Sequence, residues 1–157
     1  TMKIGSWKQL EERVYQHGRE RMTHYGVFIH RFLDTRAAGS FVSPQPSDFL
    51  VLPQAGGRAL FLETKYSEAH DTLRQCFSNA VSGQQLASAR LVTRAKADYR
   101  VLFYSGLSGL CELWDGMYLA ECRSSGTRLN LSARLAVASR VDEVLDQHVL
   151  RLIKFQQ

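Results

Sequence analysis

The sequence predicts a mixed α/β sheet flanked by helices and folded as a single domain over residues 1–157. Two observations carry this. Segments with helical spacing alternate with short, apolar, β-prone runs bounded by turn residues. With 157 residues and 45% apolar content, the chain can bury one real core and is too short for two ordinary domains.

The elements follow in order. Ser6 is placed to cap a helix in which Trp7, Leu10, Val14 and His17 recur with helical spacing. Val27 to Leu33 reads as a strand, and the loop from Asp34 to Ser47 leads to two further runs, Phe49-Leu50-Val51-Leu52 and Ala59-Leu60-Phe61-Leu62. Pro53-Gln54-Ala55-Gly56-Gly57 between these runs is turn-rich, so the pair reads as a hairpin. The polar stretch with His70, Asp71 and Arg74 is either a short helix or a connection. From Gly83, the residues Leu86, Ala89, Leu91 and Ala95 predict a helix ending near Ala97-Asp98, and Tyr99 to Tyr104 a strand beside the hairpin. Leu110 to Trp114 and Met117 to Ala120, joined by Asp115-Gly116, predict a second hairpin. Its Trp114 and Tyr118 serve as core, stacking platform or dimer surface. A last helix near 141–153 gathers Val141, Val144, Leu145, Val149 and Leu152 on one side, to pack on the sheet or on a second subunit.

Composition narrows the function classes. Cys76, Cys111 and Cys122 form an odd set without C-x-x-C spacing, which speaks against a disulfide framework or a zinc knuckle. No apolar run approaches the length of a membrane span, and no secretory h-region opens the chain, so a cytoplasmic protein with no membrane partner is expected. The sequence has no H-E-x-x-H, no G-x-S-x-G, no P-loop and no dinucleotide fingerprint. A net charge of +5 and a pI near 9.3 favour an anionic partner. Arg13, Arg19 and Arg21 on the first helix, Arg31 and Arg36 before the hairpin, and Arg90, Arg94 and Lys96 on the later helix are candidates to flank one nucleic-acid groove. Of these, Arg13, Arg31, Arg36, Arg90 and Arg94 are the leading phosphate contacts; such contacts give salt-sensitive affinity with little sequence information.

The chemistry centres on Asp48, Glu63 and Lys65. Asp48 and Glu63 lie almost symmetrically about the hairpin turn, so a simple antiparallel register sets them opposite one another. Glu63 and Lys65 project from one face of their strand, with Leu62 and Thr64 on the other. Two convergent carboxylates repel each other away from water and are tolerated when a hard cation or an ammonium compensates them. Mg²⁺, with Mn²⁺ as substitute, fits: it takes one or two carboxylates, keeps waters and binds phosphate oxygens. Lys65 is placed to orient or deprotonate an attacking water, or to neutralise charge on the phosphorane.

Pro46-Ser47-Asp48 followed by Glu63-Thr64-Lys65 resembles the signature of the PD-(D/E)XK nuclease superfamily. Flanking stretches resemble the RecU-type Holliday junction resolvases in particular. Leu10-Glu11-Glu12-Arg13-Val14 is similar to the L-E-x-x-I of their first helix, Val27 to Arg31 to their first core strand, and Gly83-Gln84-Gln85-Leu86 to the H-Q-I that opens a later helix. Together these cover about residues 6–105, leaving a C-terminal hairpin and helix over about 106–157 without a match.

The resemblance implies a restriction-endonuclease-like fold with βββαβ order, and Mg²⁺-dependent cleavage of DNA that leaves a 5′-phosphate and a 3′-hydroxyl. It implies metal ligation by Asp48, Glu63 and the Thr64 carbonyl, a second ion or its waters at Glu11, and a water- or phosphate-binding role for Gln85. Glu11 and Glu12 stand about 100° apart around the helix, so only one can face the site; the L-E-x-x-I match selects Glu11, while the superfamily's looser first-helix glutamate also allows Glu12. Symmetric cutting of a junction implies a homodimer. The chain departs from the RecU pattern in two respects: the stretch from Phe32 to Pro46 is too short for the projecting stalk, and Gln84 replaces the His of H-Q-I. A compact phage or bacterial resolvase suits these departures, as does another structure-selective or restriction-type nuclease, or a noncatalytic DNA-binding subunit.

Overall fold

The computed structural model describes residues 3–32, 45–54 and 56–152. Helix α1 (Trp7–Tyr25) begins where the Ser6 hydroxyl accepts the Gln9 N–H and ends at Gly26, whose φ of 66° is the left-handed stop that glycine takes without strain. Strand β1 (Phe28–Arg31) follows at once. At Gly18 the helix comes so close to β1 that an added Cβ would lie 2.8 Å from the Ile29 side chain.

Strands β2 (Phe49–Leu52) and β3 (Leu60–Ser67) pair antiparallel, with Phe49 opposite Leu62, Leu50 opposite Phe61 and Val51 opposite Leu60. After β3 come α2 (Leu73–Ala80) and α3 (Gly83–Arg94), so the polar stretch left open by the sequence leads into a helix. Strand β4 (Asp98–Ser105) then lies parallel to β3 along its whole length, as only a strand reached by a crossover can. Strand β5 (Cys111–Asp115) pairs antiparallel with β4, and β6 (Ala136–Ala138) with β5. The result is a six-stranded mixed sheet in the order β1-β2-β3-β4-β5-β6, flanked by helices as expected.

Two apolar layers hold the helices to the sheet. On one face Leu10 and Val14 of α1 pack with Ile29, Phe49, Leu62 and Leu102, together with the C-terminal segment. On the other, Leu73, Leu86 and Ala89 pack with Tyr99, Val101, Phe103 and Trp114. Trp114 is fully buried and Tyr118 packs against the same cluster, which settles both as core.

The second hairpin is overturned. Gly116 begins helix α4 (Gly116–Ser125), because the Asp115 carboxylate accepts the Tyr118 N–H as an N-cap instead of turning the chain back. The strand partners of β5 are β4 and β6. The last helix is also shorter than expected: α5 (Val141–Val144) runs into a π-helical turn (Leu145–Val149) and the chain leaves the helix at Arg151, with φ 51°. Val141, Val144, Leu145 and Val149 are buried against the sheet, so this apolar side is used up in the core and is not free for a subunit interface. Among the described residues no helix is long and apolar enough to cross a membrane.

Candidate active site

The β2–β3 pairing places Asp48 one step beyond Phe49, at the mouth of the ribbon, where the register continues to Glu63. Because Asp48 lies just outside the strand, its carboxylate is free to turn across the strand end. Oδ2 accepts the Thr64 backbone N–H at 2.9 Å and the Thr64 hydroxyl at 2.8 Å. The N–H and C=O of a strand residue point to the same side, so the Thr64 carbonyl opens onto the same corner. Upstream, the buried Tyr99 hydroxyl donates to the Pro46 carbonyl at 2.7 Å, and the buried Ser47 hydroxyl donates to the Phe49 carbonyl at 2.8 Å, which together fix the backbone leading to Asp48.

Glu63 is buried on the α3 face of the sheet. Its Oε1 lies 3.4 Å from the Lys65 Nζ and accepts the Gln85 Nε2–H at 3.0 Å. Gln85 is itself fixed by a capping box at the start of α3: its Oε1 takes the Ser82 N–H while the Ser82 hydroxyl takes the Gln85 N–H. The amide oxygen is therefore committed to the cap, and the amide nitrogen is left to face Glu63.

From the opposite face of the sheet, α1 brings Glu11. Its side chain is 15% exposed and 3.3 Å from the Arg31 guanidinium, whereas Glu12 is 54% exposed and bonds to Arg31 and Gln16 at the rim. Both glutamates line the cleft, against the expectation that only one would, and Glu11 is the more buried of the two. Asp48 stands between Glu11 and Glu63, and its charge acts on both. Burial, with Asp48 beside it, pushes the Glu63 carboxyl up to about 8 against the opposing pull of Lys65. Burial and Asp48 push Glu11 up to about 7 against Arg31. Tyr99 is raised too, by burial and then by the charges of Glu63 and Asp48.

These groups share one cleft of about 920 Å³, lined by Glu11, Asp48, Glu63, Thr64, Lys65 and Gln85 among others. Among the described residues no three acidic, imidazole or thiolate side chains form a ready-made metal cage. An ion that demands a full protein shell, as structural zinc does, therefore has no seat there. The donor set does suit Mg²⁺ or Mn²⁺, which take two carboxylates and a carbonyl and complete their shell with water and phosphate oxygens. Asp48, Glu63 and the Thr64 carbonyl would hold such an ion, and Glu11 lines the same cleft beside Asp48.

The arginines divide. Arg31 lines the cleft. Arg13 is turned toward the C-terminal segment, where Nε donates to Asp142 at 2.8 Å, and Arg21 pairs with Asp146 at 3.2 Å. Arg90 donates to the Ala120 carbonyl at 3.0 Å and the Ser124 hydroxyl at 2.6 Å, tying α3 to α4. Arg94 is exposed on α3 away from the cleft-lining residues, and Arg36 falls outside the described residues. Thus Arg13 and Arg90 are engaged in holding elements together, because their partners lie in segments distant along the chain.

Sequence reasoning missed the clamp by Thr64. Alternation along β3 sends the Thr64 side chain away from Glu63, and only the position of Asp48 beyond the strand end lets it meet both residues. It also grouped Trp7 with Leu10 and Val14 by helical spacing and gave it no place in the site, whereas Trp7 and Lys8 line the cleft, one helical turn before Glu11. That spacing was the available signal.

No protein-family model matches the chain. No curated protein matches it either. Among solved structures, the chain is similar to Hjc, a Holliday junction resolvase from the archaeal hyperthermophile Archaeoglobus fulgidus, at 15% sequence identity over 69% of this chain and 73% of that one, with a TM-score of 0.42. At that level of likeness the architecture rests on the sheet order described above, and the chemistry on the cleft.

Proposed function

We propose that this chain is a metal-dependent endonuclease that hydrolyses phosphodiester bonds in DNA, using Mg²⁺ or, in its place, Mn²⁺. The observation that carries the reading is the convergence of Asp48, Glu63 and Lys65 in one cleft at the open end of the β2–β3 ribbon, in the order of the nuclease signature. A bound Mg²⁺ would neutralise the carboxylates, draw in a phosphate oxygen and ease deprotonation of water. Thr64 holds Asp48 toward the ion position, and Gln85 and Lys65 hold Glu63. The Lys65 ammonium orients the water and stabilises the negative charge that develops as the water oxygen bonds to phosphorus, while the water's proton passes to solvent, which supplies one to the leaving oxygen. The bond from phosphorus to the 3′-oxygen breaks, and that oxygen leaves with a proton as the 3′-hydroxyl. Arg31 holds Glu11 in place at the cleft wall.

Branched DNA, a four-way junction foremost, is the proposed substrate, and a cytoplasmic location is proposed with it. Paired symmetric cuts require two sites related by a twofold axis, hence a homodimer. The deciding experiment offers Mg²⁺ and a panel of four-way, flapped, nicked and linear DNAs to the parent and to Lys65→Ala. The parent should cut, and the variant should lose about a hundredfold to a thousandfold in rate, as when one transition-state donor is removed. Equal cutting by both removes Lys65 from the mechanism. Paired symmetric nicks on the four-way DNA identify a resolvase, and preference for flaps or linear sites identifies another nuclease on the same machinery.

A further inference from the structure

We propose that Trp7 is a stacking platform for an unpaired nucleobase next to the scissile phosphate, so that the cleft selects DNA with unpaired nucleotides over continuous duplex. The proposal rests on the nuclease reading and names the feature of the substrate that the same site recognises.

Trp7 opens α1 and is 48% exposed, in contrast with Trp114, which has no exposure at all. A large apolar ring left in the wall of a polar cleft gives up the burial that would otherwise stabilise it. Its neighbours show what its face can receive. Lys8 holds its Nζ 5.6 Å from the Trp7 ring centroid, and both side chains line the cleft that holds Asp48, Glu63 and Lys65. Glu11 follows Trp7 by four residues and so projects from the same side of the helix. The first turn of α1 carries no acidic residue, so a phosphate approaching Trp7 and Lys8 meets the positive end of the helix and the Lys8 ammonium there. A second aromatic, Phe32, lines the same cleft beside Arg31 and stacks on Phe61 with the rings 6.5 Å apart and only 4° from parallel.

Aromatic faces interleaved with cations along one groove are how proteins hold single strands, with rings taking bases and cations taking phosphates. A base inside a duplex already has both faces covered by its neighbours. The Trp7 face can therefore accept only a base freed at a branch, gap, flap or end.

Two measurements test this. First, kcat/KM is compared on a continuous duplex and on the same duplex with an unpaired tract beside the cut site, for the parent, Trp7→Ala and Trp7→Phe. The preference for the unpaired substrate should fall about tenfold to a hundredfold in Trp7→Ala, mainly through KM, and return in large part in Trp7→Phe. A preference unchanged in Trp7→Ala, or not rescued by Phe, overturns the proposal. Second, tryptophan fluorescence is titrated with oligothymidylate. The chain has only two tryptophans and Trp114 is buried, so quenching that disappears in Trp7→Phe reports stacking. No quenching, or equal quenching by duplex, overturns it. If the parent cuts no DNA at all, the nuclease reading fails on its own, and the fluorescence titration still decides whether Trp7 stacks on bases.

Discussion

Two glutamates lie on the same face of the sheet, two strands apart, and both are withdrawn from water: Glu63 on β3 is 5% exposed and Glu112 on β5 not at all. The protein treats them differently. Glu112 receives the Leu73 N–H that begins α2 at 2.8 Å, the Trp114 indole N–H at 3.3 Å and the Arg134 guanidinium at 2.8 Å. Its charge is compensated from within the fold. Glu63 receives Gln85 and Lys65 on one oxygen, but faces Asp48, a second carboxylate, across the mouth of the ribbon. A fold that satisfies a buried glutamate completely in one place, and sets another against a second carboxylate elsewhere, marks the second as a functional-site candidate, where a proton or an incoming cation can settle the charge.

Removing each partner should break this contrast in opposite directions, and the larger change belongs to Glu112. Glu112→Ala leaves a part-buried guanidinium, an indole N–H and a helix N–H without their acceptor. It should cost on the order of 3–5 kcal/mol in denaturant unfolding, with Glu112→Gln losing less because it keeps an acceptor. A loss under about 1 kcal/mol would show that the network at β5 is not what compensates the charge.

Glu63→Gln should do the reverse when a chelator is present. The folded-state value near 8 lies above the ordinary 4.5, so the group contributes its full stability below about pH 4.5 and loses it as pH rises through 8. Replacing it with the neutral amide removes that loss. Relative to the parent, the variant should gain stability between pH 5 and 8 by a few kcal/mol, while giving up cleavage. Glu11, raised to about 7, gives the parent a further slope of the same sign. Mg²⁺ added at pH 8 should stabilise the parent and not Glu63→Gln. An identical pH profile for both proteins would mean that Glu63 and Asp48 do not repel as the geometry requires.

The contrast also explains what the sequence could reveal. The β2–β3 ribbon was legible because its register follows from local chemistry: two β-prone runs and one turn fix Phe49 against Leu62, and this brings Asp48 to Glu63. Glu11 was legible only through a motif match, since neighbouring helix positions both look solvated until tertiary packing buries one. The compensated glutamate was not legible, because Arg134 lies 22 residues away and Leu73 lies 39 residues away along the chain. Arg13 was hidden for the same reason, its partner Asp142 being 129 residues away. Asp115-Gly116 misled because the same dipeptide serves a hairpin turn or a helix N-cap; the helix won because Asp115 caps it and Leu119, Ala120 and Cys122 pack behind it.

The smallest effect sharpens the comparison most, since Gln85 serves both structure and site. Its Oε1 closes the capping box with Ser82, and its Nε2 donates to Glu63. Gln85→Ala loses both, about 1 kcal/mol for the cap and a similar amount for the bond to the ionised carboxylate. Gln85→Glu keeps a capping-box oxygen but sets a third carboxylate against Glu63. With a chelator present and below pH 4.5, where the carboxyls are neutral, Gln85→Glu should unfold like the parent and Gln85→Ala should already be weaker. Near pH 8 both should fall further behind, because the bond that favours ionised Glu63 is gone in each. A deficit for Gln85→Ala that is the same at both ends of the pH range would make Gln85 a helix cap alone and leave Lys65 as the donor that steadies Glu63.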